Sequence, residues 1–335
     1  MRILTERMEW VDSLKGVGIL SVVVGHIYSG VLKDIIFVFH MPLFFFMAGY
    51  LFKPRQQIKE YFTKKVYHLL IPYIAFLFIL FIPQVVEIVN SSNVGLPFLL
   101  KTIAKALVGG RYLQGWTGVF WFITCLFITQ QIVNYLVVKF SENVVASIMV
   151  ILLLIGYVND TFFQQYWLPF NANVACIAAP IFYIGYLMRN AGFSNFILFG
   201  AAVVSMISII AVYYGVELSY DMKGANYGLP LASLIAALAF IIVLVRLSKA
   251  LSLIPLLSPV LGYIGSGSMV IMYLHQPIQA SLRDSFGVDS ELIRFGFALV
   301  FPIILFFFLK RVSALRGIFL GSERDLKKLI LNHKD

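Results

Sequence analysis

A chain of 335 residues that is 60% hydrophobic and 13% charged, with a formal net charge of +10, has too little polar surface for a soluble domain, where about 45–50% apolar and about 25% charged residues are usual. The balance excludes a water-soluble fold and leaves an integral membrane protein. It does not point to nucleic acid as a partner, because the basic residues cluster in the connections and the C-terminal tail of an otherwise apolar chain.

Two cysteines, Cys125 and Cys176, both inside apolar runs, exclude a disulfide framework and a Cys-rich metal motif. Spans of about 20 residues with short connections leave room for about ten helices and no separate soluble domain. The expected fold class is therefore an all-α polytopic membrane protein. The expected division is a transmembrane domain over 1–310 and a basic, cytoplasmic C-terminal tail over 311–335, read as a membrane-surface helix or a frayed end.

The first stretch, Met8 to Phe52, is apolar enough to cross a membrane twice, yet both crossings carry ionisable groups. On the first, Asp12, Lys15 and His26 are separated by three and then eleven residues. At roughly 100° per residue, eleven steps return to within about 20° of the start, so the three share one helix face, and Lys15 and His26 lie about 16 Å apart along it. A charge at the centre of a spanning helix costs about 2.5–3.5 kcal/mol, so this stripe should line a polar cavity rather than face lipid. The Asp12–Lys15 pair and the lack of a small-residue cleavage site argue against a cleavable signal peptide.

The second crossing holds His40 and Pro42 in FHMPLFFFMAGY; the proline deprives the Val38 carbonyl of its helical donor, which predicts a kink beside the histidine. Phe44, Phe45 and Phe46 read as lipid contact and packing. Gly16, Gly18, Gly25 and Gly49 read as points of close helix approach.

Apolar runs place spans near 10–29, 34–52, 66–89, 117–138, 145–158, 172–188, 196–214, 229–246, 259–281 and 291–309, the fifth being short. Between the third and fourth, PFLLKTIAKALVGG has the apolar spacing of an amphipathic interfacial helix, with Lys101 and Lys105 on its other side. Trp116 and Trp121 then open the fourth span, either as interface anchors or as walls of a substrate groove.

With an even number of spans both termini share one side. Eighteen of the 26 basic residues fall on that side, Arg2, Arg7, Arg55, Lys64 and Lys65 among them, against six on the other, with Lys15 and Arg294 inside spans. The positive-inside rule then makes the termini cytoplasmic. His26, His40 and His275 fall in the outer half, His68 near the cytoplasmic end of the third span, and His333 in the tail.

With these residues in view, the sequence resembles the membrane-bound acyltransferase 3 family, close to its sugar O-acetylase branch, of the fucose 4-O-acetylase kind. WVDSLKGVGILSVVVGH carries the pattern of a basic residue, ten residues and a histidine, here Lys15 and His26; FHMPLFFFMAGYLF, KKVYHLLIPY, FWFITCLF and LGYIGSGSMVIMYLHQPI match later spans. The resemblance implies ten or so helices and transfer of an acyl group, commonly acetyl from cytoplasmic acetyl-CoA, onto a glycan or its lipid-linked precursor at the outer face of the cell membrane. It makes His26 the catalytic histidine and Lys15 its basic partner nearer the CoA. Where relatives often carry two arginines three apart, this chain has Lys65 and His68, so phosphate binding there falls to an ammonium and an imidazole, with Lys64 and Arg55 in support.

Acyl transfer to a hydroxyl needs a base, and imidazole, with an ordinary pKa near 6.5, suits that work. The expected mechanism has His26 as base or as acylated nucleophile, with His40 or His275 orienting it or donating to the developing oxyanion. Asp12 is either part of this machinery or the ion-pair partner of Lys15. Trp116, Trp121 and His275 are the candidate acceptor-binding residues. Three histidines at similar depth raise the question of zinc, but no HExxH or paired spacing supports a metal, and none is expected. The rival function is a transporter or flippase for a glycan or small molecule, for which buried ionisable groups also serve; a further alternative is succinyl transfer in the same fold.

Overall fold

The computed structural model describes residues 9–90 and 96–331; Arg2, Arg7, His333 and Lys334 lie outside the described residues. The chain runs through α1 (Glu9–Ile27), α2 (Val31–Tyr50), α3 (Ile58–Lys65), a π-helical turn (Val66–Leu70), α4 (Ile71–Asn90), α5 (Leu96–Val108), α6 (Trp121–Lys139), α7 (Glu142–Phe162), α8 (Ala175–Ala191), α9 (Asn195–Tyr213), α10 (Ala232–Leu251), α11 (Leu257–Ser266), α12 (Ser268–Asp284), α13 (Glu291–Arg311), α14 (Ser313–Leu320) and α15 (Glu323–Leu331). Among the described residues there is no strand, only an isolated bridge between Asp221 and Asn226. Among the described residues nine segments are long and apolar enough to cross a membrane, or ten if the bent pair α11 and α12 counts as one span.

The expected ninth span, continuous over 259–281, is in fact broken: α11 and α12 meet at an angle of 74°. The pair still crosses the bundle. Ser258 Oγ, in the first turn of α11, lies 3.4 Å from Glu9 Oε2 at the start of α1, whereas the end of α12 shares a cavity with Trp116, at the opposite end. The fifth span is not short, since α7 is a 21-residue helix. With 13 residues, α5 is about 20 Å long, too short for a hydrocarbon core of about 30 Å.

The first two spans are central. The first, α1, packs against α2, α10, α11, α12 and α13, and α2 packs against α8 and α10. Glycine makes the closest of these approaches possible. A Cβ on Gly16 would collide with the Leu261 carbonyl oxygen and one on Gly265 with that of Asp12, joining α1 to α11; Gly49 and Gly185 stand in the same relation to Phe182 and Phe46, joining α2 to α8. Gly18 and Gly25 meet side chains of α2. Phe45 and Phe46 are buried within the bundle rather than turned to lipid, because α2 is surrounded on several sides.

The proline in α2 does not end it: the helix of 20 residues runs through Pro42 to Tyr50. His40 Nδ1 meets the carbonyl of Ile36, at 3.0 Å. The chain after α13 turns back on itself. Arg316 grips Asp325 through Nε and Nη2, at 2.6 and 3.0 Å, and Gly321, at φ 65°, lies against the backbone of Tyr67 and His68. Of the two forms expected for residues 311–335, helix is found over α14 and α15.

Candidate active site

A chamber of about 860 Å³ runs inside the bundle. Lys15, Leu51 and Leu69 line it toward the end where α1 begins, His26 and His40 line its deeper part, and Trp116, Lys223, Gln276 and Asp284 line its other end. Lys15 and His26, eleven residues apart on one face of α1, therefore open into the same space, as the spacing requires. Asp12 does not line the chamber; it accepts from Lys15 Nζ at 3.2 Å, the ion-pair role.

Three imidazoles gather around the deep part. The His26 ring centroid is 5.2 Å from that of His275 and 6.4 Å from that of His40, with the Phe37 ring 5.8 Å away. No direct hydrogen bond joins His26 to either histidine among the described residues. His40 and His275 share a local device, a histidine two residues before a proline, and each places Nδ1 3.0 Å from the carbonyl four residues back, on Ile36 and on Ile271. A carbonyl only accepts, so Nδ1 carries the proton in both neutral rings and Nε2 is left as an acceptor. In that form Nε2 of each ring accepts rather than donates. His40 faces the chamber; His275 is sealed behind the lining, fully buried, with no partner for Nε2.

Both tryptophans line the chamber, and Trp121 is buried. Phe44 lines it as well, beyond the packing role expected of it. The remaining lining was not legible as site residues. Lys223 comes from the connection 214–231, which looks like an ordinary loop in sequence. The structure folds it into the bundle: Tyr220 N donates to the Phe37 carbonyl at 2.9 Å, Tyr227 N to Asp160 Oδ2 at 3.1 Å, and Asn171 Nδ2 to the Lys223 carbonyl at 3.4 Å. Lys223 Nζ rests on Gly118, 3.0 Å from where a Cβ would stand. No carboxylate of the described residues is within ion-pair distance of it, and burial pushes its pKa down. Buried Arg294, in α13, donates to Gln279 Oε1 at 3.3 Å, and Gln279 Nε2 donates to Gln276 Oε1 at 2.9 Å, so a cation behind the wall orients two amides on it. The only available signal was an arginine inside an apolar span.

The residues expected to hold CoA phosphates separate. Arg55 and Lys64 line a second cavity, of about 640 Å³, at the end of the bundle where α1 begins; Lys65 and His68 do not line it. Lys65 Nζ lies over the Tyr61 ring, 5.2 Å from its centroid, and His68 is covered by Gly321. Lys65 directly follows Lys64 on α3 and so points about 100° away from it, and His68 lies within the π turn Val66–Leu70, whose larger number of residues per turn shifts it off the face that α-helical counting assigns. Among the described residues no group of three or more His, Cys, Asp or Glu side chains is arranged to hold a metal ion.

The fold and this chamber define a polytopic helical membrane protein with a polar, histidine-bearing site inside the bundle. The family model described as Acyltransferase domain, acyltransferase 3, matches residues 8–318, and the chain belongs to that family: it is a membrane acyltransferase. No curated protein and no solved structure matches it.

Proposed function

We propose that this acyltransferase is an O-acetyltransferase of the sugar O-acetylase kind, carrying acetyl from cytoplasmic acetyl-CoA to a hydroxyl of a cell-surface glycan, or its lipid-linked precursor, across a bacterial inner membrane. The observation that carries the reading is one chamber lined by Lys15 toward one end, His26 within, and Trp116 with Gln276 at the other. The basic end is the cytoplasmic one, in keeping with the excess of Lys and Arg on the side of the termini. The donor's thioester enters past Lys15, and the acceptor enters past the tryptophans, whose faces suit a sugar ring while the glutamine amides suit its hydroxyls.

In this scheme His26 takes the proton of the acceptor hydroxyl as its oxygen attacks the thioester carbonyl. The new C–O bond forms, the C–S bond breaks, and the CoA thiolate leaves with the proton returned by the imidazole. His40, with Nε2 open to the chamber, is placed to help hold the acceptor or His26, and Lys15, paired with Asp12, offsets negative charge on the donor side.

A second reading, succinyl transfer, draws on Lys223: an ammonium on the chamber wall that has no ion pair among the described residues would meet the donor's free carboxylate. Purified protein in vesicles, given acetyl-CoA or succinyl-CoA labelled in the acyl group together with glycan acceptors, separates the cases. Acetyl transfer with release of free CoA is expected. Preference for the succinyl donor would select the second reading, and an intact thioester beside translocated glycan would make the protein a transporter instead.

A further inference from the structure

The second cavity is closed by a part of the chain that the family match does not reach. Its wall combines Arg55, Lys59, Glu60 and Lys64, from the region after α2, with Glu323 and Lys327 of α15, whereas the match ends at residue 318. Four cations face two carboxylates. Each carboxylate is engaged by one cation, Glu60 by Arg55 and Glu323 by Lys327, the latter at 2.7 Å. Lys59 and Lys64 have no ion pair among the described residues. The cavity is thus net positive, and its surplus charge awaits an anion.

The helix that brings Lys327 is held in place by several contacts. Arg316 grips Asp325 and also donates through Nη1 to the Lys310 carbonyl at 2.9 Å, Ser322 Oγ donates to Asp325 Oδ2 at 2.5 Å, and Leu326 packs on Gly317. Gly321 adopts a left-handed conformation that few other residues accept, and it presses the hairpin onto Tyr67 and His68. The facing wall is also fixed, since Arg55 N donates to Asn134 Oδ1 at 2.9 Å and Asn134 Nδ2 returns a bond to the Arg55 carbonyl at 3.2 Å. The cavity adjoins the chamber. Leu51 lines one and Arg55 the other, four residues apart and so at most about 14 Å along an extended chain.

We propose that α15 is part of the donor site: Lys327, with Arg55, Lys59 and Lys64, forms the cradle for the phosphate-bearing nucleotide end of CoA, and Glu323 holds Lys327 in place until that anion arrives. The inference rests on the reading that the donor enters at this end. Lys65 and His68 do not line the cavity, and the charge expected of them comes instead from the far end of the chain. Hydrogen bonding and charge from Glu323 push the Lys327 pKa up, so the ammonium is retained through the neutral range.

The test is CoA binding by titration calorimetry to the full chain in lipid nanodiscs. Lys327→Ala should weaken CoA roughly fivefold to tenfold and Lys327→Glu more strongly, while Glu323→Gln, which removes a competing carboxylate, should tighten it about twofold to fivefold. A merely structural ion pair would move Lys327→Ala and Glu323→Gln in the same direction, so weakening by both overturns the proposal. CoA affinity within twofold of wild type in a folded Lys327→Ala protein overturns it as well. Wild-type protein that binds no CoA would instead overturn the assignment of this end to the donor.

Discussion

The second span and the second half of the ninth use one local device for different ends. In α2 and in α12 a histidine stands two residues before a proline and bonds the carbonyl four residues back, and each ring lies near His26. Around that device the helices diverge: α2 runs through its proline unbroken, whereas α12 follows a 74° break from α11. His40 comes to rest on the chamber wall and His275 behind it. Local sequence therefore anchors Nδ1 in both rings, and packing decides whether the ring faces the chamber or the protein behind it. On this comparison His40 lines the chamber and His275 lies behind its wall.

Replacing the imidazole between them has the largest expected effect. His26→Ala should lower the initial rate of acyl transfer by about 10²–10⁴-fold, the range for loss of a general base, in protein that still elutes as a folded monodisperse species. An unchanged rate would leave neither neighbouring histidine with a centre to serve.

Next come the glycines that hold the two helices where they are. Gly265→Val and Gly49→Val each drive a side chain into a backbone carbonyl that cannot move aside, and the yield of folded protein after membrane extraction should fall several-fold for both. Gly267→Ala, at the break itself, should be tolerated, since its φ of −87° suits alanine and the nearest atom, 3.2 Å away, belongs to the Phe306 ring. Loss of folding in that variant would mean that the break is strained rather than merely bent.

The histidine pair itself gives a smaller, more discriminating effect. His40→Ala and His275→Ala should each lose roughly 10- to 100-fold in rate, within or below the range for positioned acid–base groups. Added imidazole should restore part of the rate only in His40→Ala, whose cavity opens on the chamber. Rescue of His275→Ala would erase the distinction between the two helices.

The smallest effect concerns the loop that closes the chamber. Burial lowers the pKa of Lys223 below its ordinary value of about 10.5. Between that lowered value and about 10.5 the unfolded chain holds a proton that the folded protein has released, so this residue's contribution to stability improves as pH rises through that window and is lost again as pH falls. The melting temperature of the wild type relative to Lys223→Met should accordingly rise by at most a degree or two between pH 8 and pH 10. A decline over that range would mean that the ammonium is stabilised by its surroundings.

What the amino-acid order determined by itself rests on periodicity and on the cost of charge in hydrocarbon. Composition dictates a membrane bundle of about ten helices, and the eleven-residue step from Lys15 to His26 puts both on one wall, because an unbroken helix carries its angular count faithfully over that distance. Where the helix is not regular the count fails: the π turn at Val66–Leu70 shifts His68 away from the cavity that Lys64 lines, and the break at Gly267 bends a crossing that hydropathy reads as continuous. Only the tertiary structure decided which distant segments complete each cavity, Lys223 from a loop at one end and Lys327 from the last helix at the other. Such meetings depend on packing between segments far apart in the chain, and no local pattern of residues encodes them.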